Sequence, residues 1–134
     1  MTDPMIIIDT DILIDASRGI PDATDCISEI RRRTLPAASV ITYMELVVGC
    51  RNKRELNELD CFISRFQVIR LNSRMSDIGS DLLRSYRLSH GLLIPDAFIA
   101  ATAIFLGCSL VSKNQRDYRF IGELRLLPYP NPFS

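Results

Sequence analysis

The chain has no tryptophan and one histidine, His90. A single imidazole excludes zinc sites built on several histidines. Its place at an expected helix C-terminus favours a solvated charge over a base in a nucleophilic triad. The four cysteines, Cys26, Cys50, Cys61 and Cys108, are too widely spaced for a Cys-x-x-Cys metal or redox motif. They fall among apolar or helical residues, where buried free thiols are expected. Neither Gly-x-Gly-x-x-Gly nor Gly-x4-Gly-Lys-Ser/Thr occurs, so no phosphate-cradling loop of those types is present. No apolar run approaches the ~20 residues that span a bilayer. Without a signal-peptide pattern, a reduced cytoplasmic protein with no membrane partner is expected. Lysine is nearly missing: only Lys53 and Lys113 among 16 basic residues. The bases balance 16 acidic residues to a formal charge of zero, so net charge is silent about an anionic partner.

What is present is a core. Of 134 residues, 47% are hydrophobic, enough for one domain over residues 1–134. After the lead Thr2-Asp3-Pro4, Met5 to Ile8 form a β-branched apolar run, the pattern of a strand buried on both faces. Ile12, Leu13 and Ala16 predict a short helix capped by Asp11 and stopped by Gly19 and Pro21. Ala23, Cys26, Ile27 and Ile30 predict an amphipathic helix from Asp22 to Arg33, with Pro36 as its stop. Ala38 to Ile41 read as a second strand, and Thr42 opens a helix to Val48. A helix over 53–64, a strand over 68–71 and a long helix from Asn72 or Ser73 to His90-Gly91 follow. After Pro95, a nearly all-apolar helix from Asp96 to Leu106 is expected to be central. Ser109 to Val111 make a fourth strand, residues 112–117 a polar turn, and Leu124 to Leu127 a last edge strand. Pro128, Pro130 and Pro132 stiffen the tail. Strands alternating with helices predict an α/β domain with a mostly parallel sheet of four to five strands.

Four acidic residues take corresponding places in this pattern. Asp9 directly follows strand one, Glu45 lies in the first helical turn after strand two, Asp96 lies in the first turn of the apolar helix, and Asp117 follows strand four. In a right-handed parallel sheet, strand ends and the helix starts that follow share one edge. Each has a purely structural explanation. Thr42-x-x-Glu45 fits a capping box, and Asn114-x-x-Asp117 fits a similar cap. Asp96 suits a helix dipole, and Asp9 could be satisfied by backbone amides. Together they are harder to explain, because convergent carboxylates repel unless protons or cations intervene. Mg²⁺ and Mn²⁺ take oxygen ligands and keep several waters, so a few carboxylates suffice. Such an ion lowers the pKa of a water and orients a phosphodiester. Thr10 and Ser112 place hydroxyls at the same rim, Asn114 is a candidate support for a carboxylate or water, and Asp11 is a cap or a supporting residue.

Four segments in register carry a resemblance. Ile7-Ile8-Asp9-Thr10-Asp11-Ile12-Leu13, Ile41-Thr42-Tyr43-Met44-Glu45-Leu46, Pro95-Asp96-Ala97-Phe98-Ile99-Ala100-Ala101 and Val111-Ser112-Lys113-Asn114-Gln115-Arg116-Asp117-Tyr118 together resemble the PIN-domain ribonucleases, specifically VapC-type toxins of toxin–antitoxin pairs. The last segment is usually Thr-Arg-Asn-x-x-Asp-Phe, so Ser112, Lys113 and Tyr118 depart mildly; Asp11 stands where Asn or Ser is commoner. The resemblance implies a PIN-like three-layer sandwich and a metal-dependent endoribonuclease. It implies that Asp9, Glu45, Asp96 and Asp117 are catalytic carboxylates ligating Mg²⁺ or Mn²⁺, supported by Thr10, Asp11, Ser112 and Asn114. It also implies an RNA substrate, a homodimer, and a cognate antitoxin whose C-terminal segment crosses the acidic site.

Two alternatives stay open on sequence grounds. Asp9-Thr10-Asp11 after an apolar strand also resembles the Asp-x-Asp of haloacid-dehalogenase-like phosphatases, with Asp9 as nucleophile. Against it, Leu13 replaces the usual Thr or Val, and no acidic pair follows a later strand. A non-catalytic PIN-like module that binds RNA or a partner through Arg31 to Arg33 or Arg51 to Arg54 is the other.

Overall fold

The computed structural model describes residues 3–134, so Thr2 of the expected lead lies outside the described residues. Five strands form one sheet: β1 (Met5–Ile8), β2 (Leu35–Ser39), β3 (Gln67–Ile69), β4 (Ser109–Val111) and β5 (Leu126–Leu127). Their order is β3-β2-β1-β4-β5, and every pairing is parallel. Six helices flank the sheet: α1 (Thr10–Ser17), α2 (Pro21–Arg33), α3 (Val40–Val48), α4 (Lys53–Ile63), α5 (Ser73–His90) and α6 (Ile94–Leu106).

β1 occupies the centre because its side chains are apolar on both sides. Ile6 and Ile8 pack with Ile12, Leu13, Ile27 and Ile30 on one face. Ile7 packs with Leu82, Ala97, Ile99 and Leu110 on the other. The period of two therefore feeds two separate cores, one per face, and the result is three layers. α6 is buried along Ile99–Ala103 and packs against α5. At Gly79 of α5 an added Cβ would lie 3.0 Å from the Phe98 ring, so the glycine sets how closely these helices approach.

Several boundaries differ from the sequence-based expectation. β2 runs Leu35–Ser39 instead of 38–41, with Pro36 inside the strand. β3 reaches β2 only from Ala37 onward, so Pro36 lies beyond the part of β2 that this neighbour pairs. Ser39 stops the strand by accepting the Ile41 amide at 3.1 Å, and Val40 and Ile41 enter α3 despite their β-branched side chains. β3 starts one residue earlier and ends two residues earlier than expected, and α6 starts two residues earlier. β5 keeps only Leu126–Leu127, while Leu124 turns into the core. The cap of α1 is Asp9, whose side chain accepts the Thr10 amide, so Asp11 is a first-turn residue and not the cap. Asn72 caps α5, and Gly91 ends it at φ 71°, as expected. Cys61 is exposed, against the expectation of burial; all four cysteines are free thiols. Among the described residues, no helix is long and apolar enough to cross a membrane.

Candidate functional site

The chain runs from β1 to β2 and β3 on one side, then returns to place β4 on the other side of β1. The strand order reverses there, and in open parallel sheets such a reversal opens a crevice beyond the carboxyl ends of the strands. Asp9 leaves β1 at this point. Its amide donates to the Val111 carbonyl at 3.0 Å, which locks the strand end against β4.

Asp9 is only 4% exposed, and its carboxylate is held by three donors. The Thr10 amide lies 2.9 Å from Oδ1, the Ser112 hydroxyl 2.7 Å from Oδ2, and the Tyr118 hydroxyl 3.1 Å from Oδ1. Burial raises the Asp9 pKa above the usual carboxylate range against these three bonds, and the Asp11 charge adds to the rise. Asp96 comes from the first turn of α6, where Pro95 presets the backbone. The same Tyr118 hydroxyl lies 3.2 Å from its Oδ1. Burial is the largest cause pushing Asp96 up to about 6, and the charges of Asp9, Asp117 and Glu45 push in the same direction. The Tyr118 phenol is buried between the two carboxylates, and its own pKa is raised by burial and by both charges.

Glu45 sits past the first turn of α3, because the helix begins at Val40. The expected capping box with Thr42 does not form. Thr42 turns inward and meets Thr10 Oγ1 at 2.9 Å, and Glu45 Oε1 meets the same Thr10 oxygen at 2.7 Å. Asp117 closes a short 3₁₀ turn (Gln115–Asp117), and the expected Asn114 side-chain cap is also absent. The Asn114 amide group instead donates to the Asp11 carboxylate. Next to it, Lys113 Nζ pairs with Asp15 at 2.8 Å. Ser112 is fully buried beneath Asp9 and is not a rim hydroxyl as expected.

The expected fourfold convergence is thus partial. Asp9 and Asp96 are joined through one atom. Glu45 and Asp117 are exposed and act on Asp96 through charge alone. Among the described residues, no three or more His, Cys, Asp or Glu side chains are arranged as a ready metal cage. Magnesium, however, is commonly held by one or two carboxylates, with water and substrate phosphate filling the rest. The Asp9–Asp96 pair fits that donor set, and no basic side chain is among the groups that shift either residue. Tyr118 is the site residue that sequence reasoning undervalued, as a variant of an aromatic position. A buried tyrosine needs a partner for its hydroxyl, and that requirement was the available signal.

Beside Glu45, a groove of about 360 Å³ runs between α1, α3 and α4. Leu13, Leu46, Leu59 and Phe62 line it together with Glu45, Glu55 and Glu58.

A family model described as PIN domain matches residues 6–122. Ribonuclease VapC19 of Mycobacterium tuberculosis is 36% identical over 123 residues, covering 90% of this chain and 98% of that relative. Two solved structures share the fold. VapBC2 from Rickettsia felis, bound to a DNA fragment from their promoter, aligns with a TM-score of 0.78 at 26% identity, over 93% of this chain and 98% of the other. A toxin–antitoxin complex from Klebsiella pneumoniae aligns with a TM-score of 0.75 at 28% identity, over 89% and 94%. With that model matched over residues 6–122 and a relative 36% identical over 90% of this chain, the chain belongs to the PIN-domain family and, within it, to the VapC ribonucleases.

Proposed function

We propose that this chain is the endoribonuclease toxin of a toxin–antitoxin pair and that it cuts RNA phosphodiesters at the β1/β4 crevice. The observation that carries this reading is the meeting of Asp9 and Asp96 on the Tyr118 hydroxyl, with Glu45 and Asp117 close enough to raise the Asp96 pKa. Such a concentration of negative charge suits a bound divalent cation and repels a bare phosphate. Asp9 and Asp96 are the side chains that hold Mg²⁺ or Mn²⁺, and Glu45 and Asp117 complete the acidic rim. When bound, the cation supplies Lewis-acid stabilisation of the phosphodiester and a more acidic water. Thr10 and Ser112 orient Glu45 and Asp9, and Asn114 holds Asp11 beside them.

The family match favours this reading over a phosphatase with Asp9 as nucleophile. Retention of all four carboxylates favours it over a non-catalytic module.

The groove beside Glu45 is the site we assign to the antitoxin. Its apolar lining suits aliphatic or aromatic anchors, and Glu45, Glu55 and Glu58 suit basic side chains. A homodimer is the oligomer we expect, through the exposed Leu93 and Ile94 at the start of α6. The cytoplasm, where four free cysteines stay reduced, is the expected compartment.

The test is cleavage of total cellular RNA by protein freed of any bound partner. Wild type with Mg²⁺ or Mn²⁺ should release discrete fragments. Asp96→Asn, or wild type with a chelator, should release none. Cleavage that persists in both controls would place the chemistry elsewhere, and no cleavage by folded wild type would favour the binding-module reading.

A further inference from the structure

We infer that Tyr118 is a positioning residue: its phenol ties Asp9 to Asp96 and presets the carboxylate pair for a divalent cation. The inference rests on the metal-site reading above and adds a residue to it.

The geometry is specific. Tyr118 follows the turn after β4, and its ring is packed in the core between the sheet and α6. Filling that space requires an aromatic ring but no hydroxyl. The hydroxyl nevertheless reaches Oδ1 of Asp9 and Oδ1 of Asp96 at nearly equal distances, 3.1 and 3.2 Å. A phenol has one proton, so it donates to one carboxylate at a time and lies between two nearly equivalent acceptors.

The two carboxylates do not depend on it equally. Asp9 keeps the Thr10 amide and the Ser112 hydroxyl if the phenol is lost. Among the hydrogen bonds of the described residues, Tyr118 is the one side chain that bonds the Asp96 carboxylate. Without it, Asp96 turns freely in the first turn of α6 and swings away from the Asp9 charge. Hydrogen bonds from neighbouring side chains orient ligating groups, and their loss typically lowers metal affinity about 10- to 100-fold. Tyr118 therefore controls how well the pair is formed before a cation arrives, and it does so without being a ligand itself.

The experiment is Mn²⁺ binding to partner-free protein, followed by titration calorimetry. Wild type should bind and Asp96→Asn should not. Tyr118→Phe keeps the ring and should bind about tenfold more weakly or worse, while its circular dichroism and melting profile show it folded. Binding by Tyr118→Phe within twofold of wild type, or tighter, overturns the positioning role and leaves the metal site intact. Failure of wild type itself to bind Mn²⁺ sinks the metal-site reading, and this inference with it.

A second readout needs no variant at position 118. Wild type labelled with ¹³Cζ-tyrosine shows four tyrosine signals. Tyr118, assigned by replacing the other three singly with Phe, should shift saturably as Mg²⁺ is added, and should not in Asp96→Asn. A Tyr118 signal that stays fixed while Mg²⁺ binds overturns the inference even if Tyr118→Phe fails to fold.

Discussion

Thr10 Oγ1 lies 2.7 Å from Glu45 Oε1 and 2.9 Å from Thr42 Oγ1, which joins the first turn of α1 to α3 across more than thirty residues of chain. A carboxylate only accepts, so the single Thr10 proton goes to Glu45, and Thr42 in turn donates to Thr10. The order of donation runs inward to outward, from buried Thr42 to exposed Glu45. Thr10→Val preserves the side-chain shape and removes both bonds. A hydrogen bond to a charged group contributes about 1.5–3 kcal/mol, and the buried Thr42 hydroxyl is left unpaired as well. Urea unfolding should show a loss of about 2 kcal/mol, and RNA cleavage should fall because Glu45 loses its orientation. An unchanged midpoint would mean that water replaces Thr10 at no cost.

Asp96 links stability to pH in the metal-free protein. Its folded pKa is about 6, against an ordinary value of 3.8. Between those values the folded chain retains a proton that the unfolded chain has released, so stability falls as pH rises through this window. Asp9, whose pKa is also raised, acts with the same sign. Asp96→Asn removes the Asp96 contribution. In chelator, the Asn variant should melt above wild type at pH 7.5, and the two should converge near pH 4. Parallel melting curves across the whole range would mean that Asp96 does not carry the shift.

The same protonation opposes cation binding. Mn²⁺ affinity of wild type should weaken as pH falls below about 6, because a ligating carboxylate must release its proton first. Calorimetry in two buffers of different ionisation enthalpy should reveal proton release on binding at pH 5.5 and much less at pH 8. Equal release at both pH values would contradict the Asp96 assignment.

Gly107 ends α6 at φ 65°, and a Cβ there would meet nothing within 4 Å. The cost of Gly107→Ala is therefore backbone strain alone, about 1 kcal/mol. Denaturant unfolding should register that loss, with cleavage per folded molecule unchanged. A loss several times larger would point to a packing role for this turn.

Lys113 and Asp15 form a 2.8 Å ion pair beside the site, with the lysine half exposed. Exposed pairs contribute about 1 kcal/mol or less and are screened by salt. Lys113→Ala should shift the urea midpoint slightly in low salt and not at all in 1 M salt. A large, salt-independent effect would mean the pair organises the turn that carries Asn114.

The parts of the fold that follow from local chemistry were legible in the residue order. β1 is Met5–Ile8 because four apolar residues meet an abrupt carboxylate. α5 begins and ends where Asn72 and Gly91 require, and α6 ends at Gly107. Caps, left-handed glycines and hydrophobic period act over a few residues, so they can be read one stretch at a time. The acidic residues were legible in the same way, as strand ends and helix starts of a parallel sheet.

Competition between local signals hid other features. Val40 and Ile41 look like strand, but the Ser39 cap takes the chain into a helix and carries Glu45 beyond the first turn. Thr42 looks like a cap, but its hydroxyl points to Thr10. Tyr118 is 109 residues from Asp9 and 22 from Asp96, and nothing local says that one phenol meets both. Residue order alone specifies the elements, the parallel α/β class and the carboxylates at one sheet edge. Which carboxylates touch follows from long-range packing, because placing β4 beside β1 brings Ser112 and Tyr118 under Asp9, and that pairing depends on burying two faces of one sheet at once.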